Sequence, residues 1–235
     1  MHIHIIMHEA FESPGAILSW IENNNIEHSY THLYLGEKLP QNTDSFDMLL
    51  IMGGPQSPTT TLEECEYFDS KAEQELIRSA VEKKQIVLGI CLGAQMLSNA
   101  MGGETISSPE KEIGLFPVTL TEEGKNDALL SHFPESFNCG HWHGDMPGLT
   151  NDAAILAQSD GCPRQIVRFA PKAYAFQCHF EFTPQAIDDM IENCSEELVK
   201  EKDRAFVQSS TELRDNNYDD CNKLLFGFLD KLIQL

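Results

Sequence analysis

Glycines on both sides of a single cysteine mark the segment with the clearest capacity for chemistry. Cys91 lies in Gly89-Ile90-Cys91-Leu92-Gly93, where a β-branched apolar run meets the start of a helix. A tight strand-to-helix turn favours glycine two residues before and after its central residue, because a Cβ at those positions would block the bend. The helix N-terminus also favours the reactive thiolate. The pattern predicts that Cys91 is a nucleophile on such a turn and not a buried structural cysteine.

A base for this thiol is available in Gln177-Cys178-His179-Phe180-Glu181. His179 and Glu181 share one side of an extended segment, so the carboxylate can orient the imidazole and stabilise its protonated form. Cys178 faces away if His179 faces the site. His-x-Glu is a common pattern that also fits packed histidines, and it gains meaning here from Cys91. We therefore expect Cys91, His179 and Glu181 to act as a catalytic triad.

Acyl chemistry also needs main-chain donors for the developing oxyanion, and a glycine turn provides a candidate. Met52-Gly53-Gly54-Pro55 ends an apolar run that reads as a buried strand. An amide of this turn, together with the amide of Leu92, would form an oxyanion hole. An ordinary Gly-Pro turn is the competing interpretation.

Alternating strand and helix patterns must position these residues. The first hundred residues predict βαβ units, and several short strands follow, some of them antiparallel. We expect an α/β fold of the flavodoxin-like kind, with a mainly parallel, mixed central sheet and helices on both faces. We also expect a single domain over residues 1–235, in which residues 195–235 add a helical layer. The predicted strands are 2–8, 27–35, 47–52, 85–89, 114–120, 137–142, 154–158, 165–169 and 174–178; the predicted helices are 15–24 (started by Ser13 and Pro14), 63–84, one from Thr183-Pro184, 195–208 and 218–233.

The order of these motifs, GGPxS, GxCxGxQ and HxE, resembles the class I glutamine amidotransferase-like superfamily over about residues 1–190, and HWHGD resembles its free-standing members. The resemblance implies attack on a glutamine side-chain amide, a γ-glutamyl thioester, and release of ammonia and glutamate. It assigns the triad to Cys91, His179 and Glu181, and the oxyanion hole to Gly54 and Leu92. The substrate-binding residues that it implies are Gly53, Gln95, Trp142, His143, Gly144 and Asp145. One departure is Phe180, since many members have proline between the histidine and the glutamate.

Composition restricts the possible partners. The 235 residues carry 16 Lys and Arg against 37 Asp and Glu, a formal charge of −21, which repels nucleic acids and anionic membranes. Seven cysteines without a CxxC pair and the absence of a targeting pattern favour a cytoplasmic protein. We expect glutamine or a γ-glutamyl compound as substrate and, because the length leaves no room for a synthase domain, a possible separate ammonia-accepting synthase subunit.

Two histidine pairs, His2/His4 and His141/His143, could suggest a metal. No cluster of carboxylates or cysteines accompanies either pair in sequence, and the resembling family needs no metal, so we expect no metal and no cofactor. Two alternatives to the glutamine hypothesis remain open. The first is a γ-glutamyl peptide hydrolase, and the second is a redox or stress-response module that uses Cys91 as a sensor thiol.

Overall fold

The computed structural model describes all 235 residues, and its first hundred residues form parallel βαβ units. Each strand of this half is short. The strands Met48–Ile51 and Ile86–Ile90 are buried on both faces, which explains their continuous apolar runs. The strands are β1 (His2–Met7), β2 (Glu27–His32), β3 (Met48–Ile51) and β4 (Ile86–Ile90), and the helices are α1 (Ala16–Asn23), α2 (Ser70–Glu82) and α3 (Leu92–Ala100). The carboxyl ends of these parallel strands meet at one edge of the sheet, where the glycine turn and Cys91 lie.

The second half adds antiparallel strands. They are β5 (Ile106–Leu120), β6 (Ser136–Met146), β7 (Ala154–Gln158), β8 (Ile166–Ala170) and β9 (Ala173–Phe176), with a short helix α4 (Glu122–Lys125) after β5. The complete sheet has nine strands in the order β2-β1-β3-β4-β9-β8-β7-β5-β6, and β9 pairs with β4 in parallel. The predicted mixed α/β fold is therefore confirmed.

Four helices complete the chain: α5 (Pro184–Asn193), α6 (Ser195–Glu201), α7 (Ser210–Asp215) and α8 (Asp219–Leu232). Apolar residues of α1, α5 and α8 join the core on one face of the sheet, while those of α2 and α3 form the core on the other face. No helix in the structure is both long and apolar enough to cross a membrane.

Three predicted boundaries are wrong for identifiable reasons. The helix expected from residue 63 begins at Ser70, because residues 61–68 form turns and Asp69 accepts the N-terminal hydrogen bond from the backbone of Ala72. The helix expected to reach residue 208 ends at Glu201, because residues 206–208 pair with the backbone of Ile113 in β5. Helix α1 is capped by Gly15, without a side-chain hydrogen bond, and not by Ser13 with Pro14 in the first turn as predicted.

Strand boundaries differ as well. β5 begins at Ile106, eight residues before the predicted start, and β6 extends to Met146, so the whole His141–Asp145 segment is strand. The added residues of β5 and β6 pair with each other on both sides of a bulge in β5. Pairing between distant segments therefore extended both strands beyond what their local patterns indicate.

The C-terminal helix α8 supports the segment that carries the expected base. The side-chain amide of Asn222 donates to the carbonyls of Phe180 (2.6 Å) and Phe182 (3.1 Å). At the other end of α8, Asp230 accepts from the indole of Trp20 at 2.8 Å. Phe228 is fully buried against Tyr174 and Phe176 of β9. We infer that the helical layer belongs to the same cooperative unit as the sheet.

The Phe228→Ala substitution tests this inference. Loss of a buried phenylalanine costs about 3–5 kcal/mol, so we expect one cooperative unfolding transition whose free energy falls by that amount. Denaturant unfolding followed by circular dichroism measures it. Val199→Ala is the control, since Val199 is 69% exposed and should change stability by less than about 0.5 kcal/mol. Two separate transitions, in which the C-terminal helices unfold first and the stability of the sheet is unchanged, would contradict a single cooperative unit.

Candidate active site

Cys91 lies on a strained turn between β4 and α3. Its backbone angles, φ 51° and ψ −107°, are unfavourable for any residue other than glycine. The flanking glycines are required by close backbone packing: a Cβ on Gly89 would lie 2.2 Å from the carbonyl oxygen of Gly93, and one on Gly93 would lie 2.2 Å from that of Ile51. The predicted turn around Cys91 is therefore present.

Burial changes the expected state of the Cys91 thiol. The residue is 7% exposed, and burial raises the pKa of its thiol, although the neighbouring His179 opposes the increase. The sulfur lies 3.7 Å from the carbonyl oxygen of Trp142, and the side-chain amide of Gln177 donates to it at 3.5 Å. Burial thus opposes the thiolate that the helix N-terminus was expected to favour, and a base beside the thiol would offset this effect.

His179 and Glu181 form a buried pair beside this thiol. Nδ1 of His179 lies 2.6 Å from Oε1 of Glu181, while Nε2 of the same ring has no hydrogen-bond partner in the protein. Burial alone would lower the pKa of His179, but the Glu181 carboxylate and the ionised form of Cys91 outweigh it and raise this pKa well above its usual value. The imidazole is therefore a strong base with one nitrogen free.

Main-chain pairing and packing fix the orientation of this pair. The amide of His179 donates to the carbonyl of Gly140 at 2.7 Å, which ties the segment after β9 to β6. Phe180, which stands where many members of the resembling family have proline, is fully buried in the core. Because neighbouring side chains in an extended segment alternate, Phe180 in the core leaves His179 and Glu181 on the other side. Phe182 stacks on the His179 ring, with centroids 4.3 Å apart.

The two amides expected to form the oxyanion hole are free. The N–H groups of Gly54 and Leu92 donate to no other atom of the protein. Leu92 is the first residue of α3, where helix geometry leaves the N–H groups without partners. Gly54 lies against Leu92, since a Cβ on Gly54 would be 2.9 Å from the Leu92 side chain. Both donors therefore border the turn that carries Cys91.

A cavity of about 470 Å³ opens at Cys91. Five predicted pocket residues, Gln95 and Trp142 to Asp145, line it together with Gly54. Gly53 is buried behind this surface and does not line the cavity, which corrects its expected place. A larger cavity of about 740 Å³, beside residues 33–39, contains no cysteine or histidine and lies away from this chemistry.

Comparison with known proteins places this arrangement in a family. The family model described as class I glutamine amidotransferase matches residues 20–198. This chain belongs to the class I glutamine amidotransferase family. The family prediction and the prediction of an amidotransferase-like enzyme are thereby confirmed, while α7 and α8 lie beyond the matched residues.

Individual relatives cover the chain to different extents. The glutamine amidotransferase-like protein YfeJ of Salmonella typhimurium is 50% identical over 232 residues, 99% of this chain and 97% of that protein. Anthranilate synthase component 2 of Helicobacter pylori is 28% identical over 162 residues, 68% of this chain and 74% of that one. The crystal structure of SMU.1228c superposes with a TM-score of 0.97 at 47% identity, covering 99% of this chain and 100% of that chain.

Sequence reasoning missed several residues in and beside this cavity. Gln177 donates to the thiol and accepts from Gln95 at 3.2 Å, so it connects the nucleophile to the pocket. Its position two residues before His179 could have indicated this. Glu12 on the β1–α1 loop and the wall contributed by α5 and α6 have no local motif, because long-range packing brings them to the cavity. The other residues that line the cavity are Phe11, Pro55, Gln56, Met190, Asn193, Cys194, Glu196 and Glu197.

The histidine pair of β6 gains a carboxylate that is distant in sequence. Glu112 Oε2 lies 3.3 Å from Nε2 of His143 and 3.7 Å from Nδ1 of His141, and all three residues are buried. This trio is a possible set of metal ligands. Gln165 and Ser159 donate to the same carboxylate at 2.7 Å each, so hydrogen bonds account for its burial. The absence of a metal stays a prediction, and the observed network fixes His143 in the pocket wall.

Glu12 is the least expected residue of the site. Its carboxylate is partly buried in the cavity wall, and it forms no hydrogen bond or ion pair with the protein. Burial is the main reason that the pKa of Glu12 rises to about 7; Glu181 adds to the increase, whereas His179 opposes it. Because its pKa is raised in the folded protein, ionisation of the Glu12 carboxyl group lowers the free energy of unfolding.

The Glu12→Gln substitution should therefore stabilise the protein at alkaline pH. Between about pH 5 and 7 the folded state keeps a proton that the unfolded chain, with its lower pKa, has released, so wild-type stability falls as pH rises through this interval. Glutamine lacks this titration. We expect the variant to gain on the order of 2 kcal/mol at pH 8 and almost nothing at pH 5, measured by denaturant unfolding at both values.

Glu75→Gln is the matched control for this measurement. Glu75 is an exposed residue of α2, and its change alters the net charge equally. The interpretation of Glu12 is wrong if the two variants show the same pH dependence.

Proposed function

We propose that this protein hydrolyses a γ-glutamyl amide, such as glutamine, through Cys91. The observation that carries the proposal is a cavity lined by Cys91, whose thiol stands on a strained turn, and by Gly54, whose amide is unpaired. Beside the thiol lie the buried imidazole of His179, whose Nε2 has no partner, and the unpaired amide of Leu92. Thiol amidohydrolysis requires each of these groups. Membership of the class I glutamine amidotransferase family supports glutamine as the acyl donor.

The first half of the reaction forms a thioester. His179 removes the proton from the Cys91 thiol, whose raised pKa makes a base necessary, and the sulfur attacks the γ-carbonyl carbon. The amides of Gly54 and Leu92 stabilise the oxyanion. His179 then protonates the leaving nitrogen, and the carbon–nitrogen bond breaks. Glu181 stabilises the protonated ring through its 2.6 Å contact.

The second half hydrolyses the thioester. His179 activates a water molecule, which attacks the same carbonyl carbon and releases glutamate and the free thiol. Gln95 and the β6 residues Trp142 to Asp145 line the cavity beside Cys91 and would bind the glutamyl group. Trp142 is held in this wall by a 2.9 Å hydrogen bond from its indole to Glu197.

A synthase partner that consumes the ammonia is a second candidate. It is supported by a relative named anthranilate synthase component 2, which is itself described as one component of an assembly. The isolated chain would then show low activity that increases on adding a co-purified partner. The buried Cys91 disfavours the redox module, because a sensor thiol needs exposure and a low pKa.

The Cys91→Ala substitution tests the hydrolysis. We expect glutamate release from glutamine to fall at least about a thousandfold while the circular dichroism spectrum is unchanged, because the substitution removes the nucleophile but only one atom of packing. Cys65→Ala is the control, since Cys65 is a partly exposed thiol outside the cavity. Equal activity of the Cys91 variant and the wild type would exclude Cys91 as the nucleophile.

Substitutions of the other two residues should differ in severity. His179→Asn removes the base, whereas Glu181→Gln keeps a group that can still accept the ring's hydrogen bond, so we expect a loss of kcat about tenfold larger for the His179 variant. Steady-state glutamate release gives both values. The assignment of Glu181 as the orienting residue fails if its substitution is the more damaging one.

A further inference from the structure

We propose that Glu12 forms the leaving-group subsite, and that the pocket selects γ-glutamyl amides whose leaving amine carries a second, protonated amino group. The substrate class is thus the γ-glutamyl monoamide of a diamine. This inference rests on the proposed hydrolysis through Cys91 and concerns the same site.

Glu12 is a carboxylate without a partner. The fully buried carboxylates near the site all have one: Glu73 accepts from His8 at 3.1 Å, Glu181 binds His179, and Glu112 accepts from Ser159 and Gln165. Glu12 accepts from no donor of this chain although it lines the cavity. Glu12 is partly buried and has no partner in the protein although it lines the substrate cavity, so a cationic group of the ligand can supply the missing partner.

The position of Glu12 assigns that cation to the leaving group. A methyl group on Gly53 would lie 2.1 Å from Oε2 of Glu12 and 3.5 Å from the Cβ of Cys91, so the carboxylate borders the nucleophile. Glu12 also interacts electrostatically with His179, the group that protonates the leaving nitrogen. The Trp142 to Asp145 wall, by contrast, comes from β6.

The charge of the whole cavity favours a cationic amine over a peptide. Its lining contains the carboxylates of Glu12, Asp145, Glu196 and Glu197 and no lysine or arginine. Glu197 is neutralised by Lys111, but Asp145 and Glu196 have no ion-pair partner. A leaving group that ends in a carboxylate, as in a γ-glutamyl peptide, is repelled by this surface. The α-carboxylate and the α-ammonium of the glutamyl group are common to all these substrates and do not affect the comparison.

The reaction balances without a co-reactant beyond water. The Cys91 sulfur displaces the amide nitrogen from the γ-carbon, and His179 transfers the thiol proton to that nitrogen. The diamine leaves, and water cleaves the thioester to give glutamate. During the first step the distal ammonium of the leaving group pairs with Glu12, which holds the scissile amide between Cys91 and His179.

Three substrates whose amines each contain four carbon atoms test this selectivity. They are γ-glutamyl amides of 1,4-diaminobutane, butylamine and 4-aminobutyrate, which end in an ammonium, a methyl group and a carboxylate. We expect kcat/KM of the wild type to be about tenfold higher for the ammonium compound than for the methyl compound, and lowest for the carboxylate. Glu12→Gln should abolish the advantage of the ammonium compound, mainly through KM, while Glu12→Asp keeps part of it. Glu75→Gln, which changes the net charge equally outside the cavity, should retain it fully.

The outcomes separate the subsite from the hydrolysis itself. Equal rates for the ammonium and methyl compounds, or a preference that survives Glu12→Gln, overturn the subsite and leave the hydrolysis intact. Hydrolysis of none of the three compounds and of no glutamine overturns the proposed function. Calorimetric binding to the Cys91→Ala protein gives a readout that does not depend on turnover or on folding of the Glu12 variants. There the ammonium compound should bind about tenfold more tightly than the methyl compound, and equal affinities would overturn the subsite.

Discussion

Close backbone packing around Cys91 is the constraint on which the rest of the site depends. The carbonyls of Ile51 and Gly93 occupy the space where Cβ atoms would stand at positions 93 and 89. This contact brings the end of β3 against the start of α3, so the glycine turn and the free N–H of Leu92 come to the same place as the thiol. The backbone strain at Cys91 persists because buried strands on both sides hold it.

The later half of the chain supplies the base through a different kind of contact. Main-chain hydrogen bonds between Gly140 and His179 join the strand that lines the pocket to the segment that carries the imidazole. The C-terminal helix then binds the carbonyls on either side of Glu181 through Asn222. Residues beyond the matched family region thereby stabilise the orientation of the expected triad.

Charge within the site is distributed unequally. His179 is surrounded by groups that favour its protonated form, and the Glu181 carboxylate is compensated by it. Glu12 has no such compensation, and its ionisation opposes folding. Uncompensated polar groups of this kind are typical of functional sites, where stability is lost in exchange for binding. The Glu112 network shows the opposite solution, since Ser159 and Gln165 satisfy a fully buried carboxylate.

The sequence by itself determined the residues whose roles depend on local geometry. The glycines around Cys91, the alternation from His179 to Glu181 and the Gly53-Gly54-Pro55 turn each act over a few residues, so their types and spacing suffice to predict them. The same holds for the parallel strands of the first hundred residues, whose apolar runs are buried on both faces. Tertiary structure alone decided the placement of Glu12, the Glu112 network, the length of β5 and β6 and the end of α6, because each depends on contacts between distant segments. It also decided the protonation preferences of Cys91 and Glu12, since burial in the folded chain sets them and no sequence pattern reports it.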